Sequence, residues 1–220
     1  MIKTIIFDLD GTLANTIEDI TCGLNGMLYE YGFPLVTADD TLRNINNGAL
    51  ELVRRSIPES RRNDESFVKE AKRTYEKYYN KCFNDTTYAY SGIHEALLKL
   101  QEGEYSLNVL SNKQDEFVKL IVKKLFPDVK FDYILGQSEA FPTKPDPTAV
   151  LHIINGVGAD IKGTAIVGDS NVDMVTAKNA CIVPLGVSWG YRSSDILLEN
   201  GAKHIFSDPS ELVNIPDFLI

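Results

Sequence analysis

The spacing of hydrophobic residues changes along the chain, and these changes predict where its helices and strands lie. A short apolar run at residues 2–7 is typical of a buried strand. Apolar residues at helical spacing dominate residues 16–83, so this segment is predicted to be nearly all helix. From about residue 91, short apolar runs alternate with helical patterns. This alternation indicates β-α units, which build a parallel sheet covered by helices.

The alternating part of the chain predicts four helices and four strands. The helices are expected at residues 93–100, 117–125, from 147 onward and 171–180, and the strands at 107–110, 133–135, 164–167 and 182–187. Together with the first strand they form one α/β core, split after that strand by a helical insert. We expect the core at residues 1–14 and 84–220 and the insert at residues 15–83.

Composition and charge narrow the class of protein. The chain has 44% hydrophobic and 24% charged residues, which is globular composition and excludes disordered and fibrous chains. A formal net charge of −9 argues against nucleic acid and against an anionic membrane surface as partners. The apolar start breaks at Asp8, too soon for a secretory signal, and the three cysteines are widely spaced. We expect a cytoplasmic protein without a membrane span, either a monomer or a homodimer.

Polar residues stand at the predicted carboxyl ends of the strands, where sheets of this kind bind ligands. They are Asp8, Asp10, Ser111, Asn112 and Asp169, with Lys144 in a loop before a helix. Asp8 and Asp10 are two residues apart, so on an extended chain both would point the same way and meet Asp169. Three gathered carboxylates need a cation, and Mg²⁺ beside a phosphate suits these oxygen ligands. Gly11 would let the backbone turn and approach a phosphate closely.

Each of these residues also has a purely structural interpretation. Asp-x-Asp-Gly is common in turns, and Ser111-Asn112 could cap the next helix. Lys144 could be a solvated surface residue, and Asp173 could complement a helix dipole. The common placement at strand ends, in chain order, favours a site.

Four motifs stand at these positions. They are Asp8-Leu9-Asp10-Gly11-Thr12-Leu13, Leu110-Ser111-Asn112-Lys113, Thr143-Lys144-Pro145-Asp146-Pro147 and Val167-Gly168-Asp169-Ser170-Asn171-Val172-Asp173. Together they resemble the haloacid dehalogenase superfamily of phosphohydrolases. The segment Gly186–Arg192 and the loop Asn46-Asn47-Gly48 resemble its phosphoglycolate phosphatase-like branch. The resemblance covers essentially the whole chain. It implies a Rossmann-like, three-layer core with a parallel sheet and a helical cap domain inserted after the first strand.

The resemblance also implies a role for each polar residue. Asp8 is expected to attack phosphorus and form an aspartyl-phosphate, while Asp10 acts first as an acid and then as a base. Mg²⁺ is expected to be held by Asp8, the Asp10 carbonyl and Asp169, and Asp173 is expected to support Lys144 or metal-bound water. Phosphate is expected to be bound by Gly11, Thr12, Ser111, Asn112 and Lys144.

The expected reaction is Mg²⁺-dependent hydrolysis of a small phosphorylated metabolite, best matched within the branch by 2-phosphoglycolate. A pyrophosphatase, or a sugar-phosphate phosphatase or mutase of the same superfamily, is an alternative. A mutase is disfavoured because no histidine lies within residues 15–83. A dehalogenase would lack the second aspartate, Asp10. From a different class, the chain could be a non-enzymatic phospho-acceptor module.

A substrate carboxylate would need a cation or backbone donors. Six of the seven arginines lie in the insert, and they are either a solvated helical surface or in part an anion site. For the second interpretation the candidates are the Asn46-Asn47-Gly48 loop and Arg43, Arg54 and Arg55.

Overall fold

The computed structural model describes residues 1–217, which divide into two compact units. One unit consists of Met1–Asn15 together with the chain from Ala89 onward, and the other is Thr16–Tyr88. The second unit continues past residue 83, where the helical pattern of the sequence stops, to Tyr88.

The elements are named in chain order. The strands are β1 (Thr4–Phe7), β2 (Ala14–Asn15), β3 (Tyr88–Ala89), β4 (Ser106–Gln114), β5 (Tyr133–Gln137), β6 (Thr164–Gly168), β7 (Val183–Val187) and β8 (His204–Phe206). The α-helices are α1 (Ile17–Glu30), α2 (Ala38–Asn44), α3 (Gly48–Ser56), α4 (Glu65–Cys82), α5 (Ile93–Glu102), α6 (Asp115–Leu125), α7 (Thr148–Val157), α8 (Asn171–Asn179) and α9 (Ser194–Glu199). Short 3₁₀ helices span Glu59–Arg61, Ile161–Gly163 and Pro209–Asp217.

A six-stranded parallel sheet in the order β5-β4-β1-β6-β7-β8 forms the core unit, and β2 pairs with β3 in a separate small sheet. The chain adds β4 and β5 on one side of β1, then crosses to add β6, β7 and β8 on the other. The carboxyl end of β1 is therefore a topological switch point, where open α/β sheets bind ligands.

Both faces of the sheet are buried. Ile6, Leu110 and Ile166 pack with residues of α7 and α8 in one cluster. Ile5 and Phe7 point to the opposite face because successive side chains of a strand alternate, and both are fully buried. Strands that are apolar on both faces are typical of a covered parallel sheet. The predicted α/β fold with a parallel sheet is confirmed.

Apart from the short strands β2 and β3, the structure extends the sequence prediction in two places. Strand β4 continues past the predicted residues 107–110 through the polar run Ser111-Asn112-Lys113-Gln114. The sequence pattern did not indicate this extension, because the residues at the ligand-facing end of the strand are polar and interrupt the apolar run. The second place is the C-terminal part, where α9, β8 and the last 3₁₀ helix were not predicted.

Asp19 explains why the insert unit extends beyond its last long helix. This side chain, on the first turn of α1, is 1% exposed. It accepts hydrogen bonds from the backbone N–H and the hydroxyl of both Thr86 and Thr87, at 2.6–3.0 Å for the shortest four. Burial raises the pKa of Asp19, but these hydrogen bonds outweigh it and hold the pKa below its ordinary value. The residues after α4 are thus held to α1.

The arginines considered as anion ligands have partners inside the insert unit. Arg54 donates to both carboxylate oxygens of Glu65, at 2.8 and 3.0 Å, and to Glu51 at 3.0 Å. Arg43 pairs with Asp40, and Arg55 donates to the carbonyl of Asn44. Arg54 in particular links α3 to the start of α4, which favours the structural interpretation of this residue.

We predict that Asp19→Asn lowers the free energy of unfolding by about 2 kcal/mol at pH 7, because the amide can accept at only one oxygen. Because the pKa of Asp19 is lower in the folded than in the unfolded state, its carboxylate stabilises the fold above the unfolded-state pKa of ~3.9. This stabilisation is lost as the pH falls through the pKa of Asp19 in the folded state. The gap between variant and wild type should therefore narrow below about pH 4. Urea denaturation between pH 3 and pH 7 measures this difference in the free energy of unfolding. The variant Glu18→Gln, at an exposed neighbouring residue, is the control. An unchanged stability at pH 7 would contradict the role of Asp19.

Candidate active site

Asp8 and Lys144 form the centre of the site. Asp8 is the first residue after β1, and its carboxylate lies 3.0 Å from the Lys144 ammonium. Both side chains are almost completely buried. Lys144, which sequence alone left open as a surface residue, is therefore a buried cation whose charge is balanced by carboxylates.

Asp173 is the second carboxylate on Lys144. Its Oδ1 accepts a hydrogen bond from the lysine ammonium at 2.6 Å, and its Oδ2 accepts from the backbone N–H and hydroxyl of Ser170. Ser170 in turn accepts from the Asp173 backbone N–H, which completes a capping box at the start of α8. Asp173 therefore caps its helix and fixes the end of Lys144 at the same time.

Asp169 is held by the loop that follows β7. The Tyr191 backbone N–H donates to Asp169 Oδ2 at 2.7 Å, and the Thr12 hydroxyl donates to Oδ1 at 3.2 Å. A Cβ on Gly190 would lie 2.1 Å from the Asp169 Cβ, and one on Gly11 would lie 2.3 Å from Asp169 Oδ2. Glycine is therefore required at both positions, and Gly11 additionally has φ +83°. Thr12, expected at phosphate, is placed against Asp169.

Asp10 departs from the expected geometry. The carbonyl of Leu9 accepts the N–H groups of Thr12, Leu13 and Ala14, so the chain turns directly after Asp8 and is not extended there. The Asp10 carboxylate consequently pairs with Lys113 at 2.9 Å. The Asp10 side chain thus has a cation of its own, whereas the carboxylates of Asp8 and Asp169 lie together with Asp173.

Ser111 and Asn112 lie in β4 and do not begin the following helix. The Asn112 side chain exchanges two hydrogen bonds with the Lys144 backbone, accepting from its N–H at 2.7 Å and donating to its carbonyl at 2.9 Å. The Ser111 hydroxyl oxygen accepts from the Lys113 N–H at 3.3 Å. Asn112 thus attaches the loop carrying Lys144 to the sheet, a contact that the sequence did not indicate.

Within residues 1–217, the acidic side chains close enough to share one ion are Asp8, Asp169 and Asp173, whose oxygens lie within 4.8 Å of one another. Burial raises the pKa of Asp8; Lys144 opposes this and the neighbouring carboxylates add to it. Burial and then Asp173 raise the pKa of Asp169 to about 7. Burial lowers the pKa of Lys144, but Asp173 and Asp8 outweigh this and raise it overall. One lysine does not offset three carboxylates.

This charge balance fits a divalent cation. The donors are hard carboxylate oxygens, and in both Asp169 and Asp173 each oxygen already accepts a hydrogen bond. Asp169 accepts from uncharged groups, the Thr12 hydroxyl and the Tyr191 N–H, whereas Asp173 Oδ1 accepts from the Lys144 ammonium. Of these two, Asp169 is therefore better suited to hold an ion together with Asp8.

Sequence reasoning missed three residues that shape the site. Lys113 belongs to a motif but had no role assigned, although it stands two residues after Ser111 on the same strand. Trp189 donates from its indole N–H to the Thr12 carbonyl at 3.0 Å, and Tyr191 acts through its backbone. A backbone donor leaves no signal in residue type, so Tyr191 could not have been found from sequence.

Comparison with known proteins agrees with this geometry. The family model described as haloacid dehalogenase-like hydrolase matches residues 5–187. The chain belongs to this hydrolase family. The predicted superfamily is thus confirmed, and this family member is an enzyme of the α/β class.

Relatives and solved structures of the hydrolase family match the chain over nearly its full length. A phosphoglycolate phosphatase from Haemophilus influenzae is 28% identical over 218 residues, covering 97% of each chain. One from Psychrobacter arcticus is 30% identical, covering 96% of this chain and 94% of that protein. The crystal structure of a protein from Haemophilus somnus, described as a predicted phosphoglycolate phosphatase, superposes with a TM-score of 0.88 at 28% identity and 97% coverage of both chains. Among residues 1–217, no helix of this hydrolase is long and apolar enough to cross a membrane.

We predict that the metal-free hydrolase loses thermal stability as the pH rises from 5 to 8. Asp8 and Asp169 have higher pKa values in the folded than in the unfolded state, so their protonation stabilises the fold, fully so below the unfolded-state pKa of ~3.9. This stabilisation is lost as the pH rises, and for Asp169 the loss ends near its folded-state pKa of about 7. Asp169→Asn should make the decline shallower, because its amide can still meet Tyr191 and Thr12. Melting temperatures in EDTA measure both slopes; equal slopes would contradict the raised pKa of Asp169.

Proposed function

We propose that the protein is a Mg²⁺-dependent phosphatase that hydrolyses a small phosphate monoester, with 2-phosphoglycolate as the substrate. The observation that carries the proposal is the buried Asp8 carboxylate at the switch point, in contact with Lys144 and close to Asp169. A buried carboxylate beside a cation, with an acidic group to hold a metal, is what in-line attack on phosphorus requires.

In the first step an Asp8 oxygen attacks phosphorus while the bond from phosphorus to the leaving oxygen breaks. Asp10 gives its proton to that oxygen, and an aspartyl-phosphate on Asp8 results. In the second step Asp10 takes a proton from a water molecule, whose oxygen attacks the same phosphorus. Inorganic phosphate leaves and the Asp8 carboxylate is restored.

The remaining residues position and balance charge. Lys144 holds Asp8 and offers its ammonium to the phosphoryl oxygens, with Asp173 fixing its direction. The Ser111 hydroxyl, near the end of β4, serves as a further phosphate donor. The N–H groups of Gly11 and Thr12 already donate to the carbonyls of Ala14 and Leu9, so these residues shape the turn beside the phosphate. Asn112 serves by holding the Lys144 loop. When bound by Asp8, the Asp10 carbonyl and Asp169, Mg²⁺ supplies charge that screens the nucleophile from the phosphate.

The substrate assignment rests on the relatives. Those described above carry the name phosphoglycolate phosphatase and match nearly the whole chain. The acidic surface, with a formal net charge of −9, supports a small metabolite as the partner in preference to nucleic acid.

We predict that Asp8→Asn lowers kcat by at least about 10³-fold, because it removes the nucleophile while keeping the size of the side chain. Phosphate should be trapped on Asp8 in acid-quenched wild type and be absent from the variant. Asp195→Asn, an exposed aspartate on α9, is the matched control and should be fully active. Activity within tenfold of wild type, or phosphate trapped on another residue, would refute the covalent role.

We predict that EDTA abolishes activity and that Mg²⁺ restores it. With Mg²⁺ present, kcat/KM for 2-phosphoglycolate should exceed the values for pyrophosphate, hexose phosphates and nucleotides by at least tenfold. A screen of these compounds by phosphate release measures both. Full activity without metal would contradict the assigned carboxylates, and a tenfold preference for another compound would leave only the phosphatase reaction standing.

A further inference from the structure

Lys113 is a second buried cation of the site, distinct from Lys144. Its side chain is 7% exposed, and its ammonium lies 2.9 Å from Asp10 Oδ2. Lys144, in contrast, contacts Asp8 and Asp173. The two lysines therefore serve different carboxylates, one the proposed nucleophile and the other the proposed acid.

The sheet fixes the backbone of Lys113. The register of β4 against β5 shifts between Leu110 and Gln114, and such irregularities re-aim side chains at the ends of strands. A Cβ on Gly136 of β5 would lie 2.7 Å from the Lys113 carbonyl oxygen, so the two strands are in close contact here. Together with the hydrogen bond to Ser111, these contacts hold Lys113 at a defined place beside Asp10.

The position of Asp10 identifies the part of the substrate that Lys113 can reach. In the proposed reaction Asp10 protonates the leaving oxygen, so groups around Asp10 surround the leaving group and not the transferred phosphoryl. In 2-phosphoglycolate the leaving group is glycolate, whose carboxylate is separated from the leaving oxygen by one methylene carbon. In a bound substrate, a cation paired with the acid would therefore lie near this carboxylate.

We infer that Lys113 determines specificity by binding the carboxylate of the leaving group with its ammonium. The inference rests on the proposed function and adds to it a residue of the core unit. A cation with little exposure discriminates strongly in favour of an anionic partner, because an uncharged group cannot replace the lost interaction.

The test compares two substrates that differ in one group. 2-Phosphoglycolate is measured beside the monophosphate ester of ethylene glycol, in which a neutral hydroxyl replaces the carboxylate. Both esters have an alkoxide leaving group, so a change in Asp10 should slow the two reactions alike. The ratio of their kcat/KM values is therefore insensitive to such a change. The enzymes are wild type, Lys113→Met, Lys113→Gln and the control Lys119→Met, which removes an exposed lysine of α6.

We expect wild type to prefer 2-phosphoglycolate, and Lys113→Met to reduce the ratio by at least about 30-fold, mainly through KM. Lys113→Gln can still donate a hydrogen bond to Asp10 but carries no charge, so it should lose the preference as well. If Lys113→Met fails to fold, Lys113→Gln alone tests the inference. Lys119→Met should keep the wild-type ratio.

Two results would overturn the inference, and they are distinguishable. If wild type prefers 2-phosphoglycolate but both Lys113 variants slow the two substrates equally, Lys113 only positions Asp10, and the proposed function survives. If wild type does not distinguish the two substrates, the substrate assignment fails and the inference fails with it.

Discussion

The site depends on one ammonium group buried between two carboxylates. Lys144 lies 3.0 Å from Asp8 and 2.6 Å from Asp173, and water is almost excluded from all three side chains. Removing one member of such a group typically costs about 3–5 kcal/mol, since the remaining charges stay buried without compensation. The place of the nucleophile is therefore inseparable from the loop that carries Lys144. The same excess of negative charge that makes the lysine necessary also prepares the site for a metal ion.

Neighbouring strand ends supply the contacts that hold each charged group. Asn112 at the end of β4 holds the Lys144 backbone, and Ser170 after β6 holds Asp173. The loop after β7 reaches back to Asp169 through Tyr191 and to Thr12 through Trp189. The sheet places these ends side by side, so the register of the strands determines the relative positions of the charged side chains in the site. A loop alone, without this support, would leave long side chains such as Lys144 free to change rotamer.

The sequence predicted the elements with strong apolar periodicity and the residues at strand ends, because both depend on residue type. Which charged group meets which could not be predicted in the same way. The spacing of Asp8 and Asp10 predicted that both lie at the strand end, but it did not indicate that Lys113 pairs with Asp10. Arg54 was a candidate for a substrate carboxylate or a solvated surface residue, and only the fold shows that Glu65 lies within its reach. Pairing is a property of distant chain segments, which local patterns do not encode.

The register of β1 has a consequence for the order in which the chain is completed during synthesis. Thr4 pairs with Ser106 on one side and with Thr164 on the other, so β1 is translated before both of its neighbours and gains the second one late. Until residue 164 has left the ribosome, one edge of a largely apolar strand stays open, and such edges are prone to aggregation. The contacts of Thr16–Tyr88, in contrast, lie within one continuous segment and can form earlier. Asp8 thus acquires the charged groups around it only after Asp169 and Asp173 have emerged.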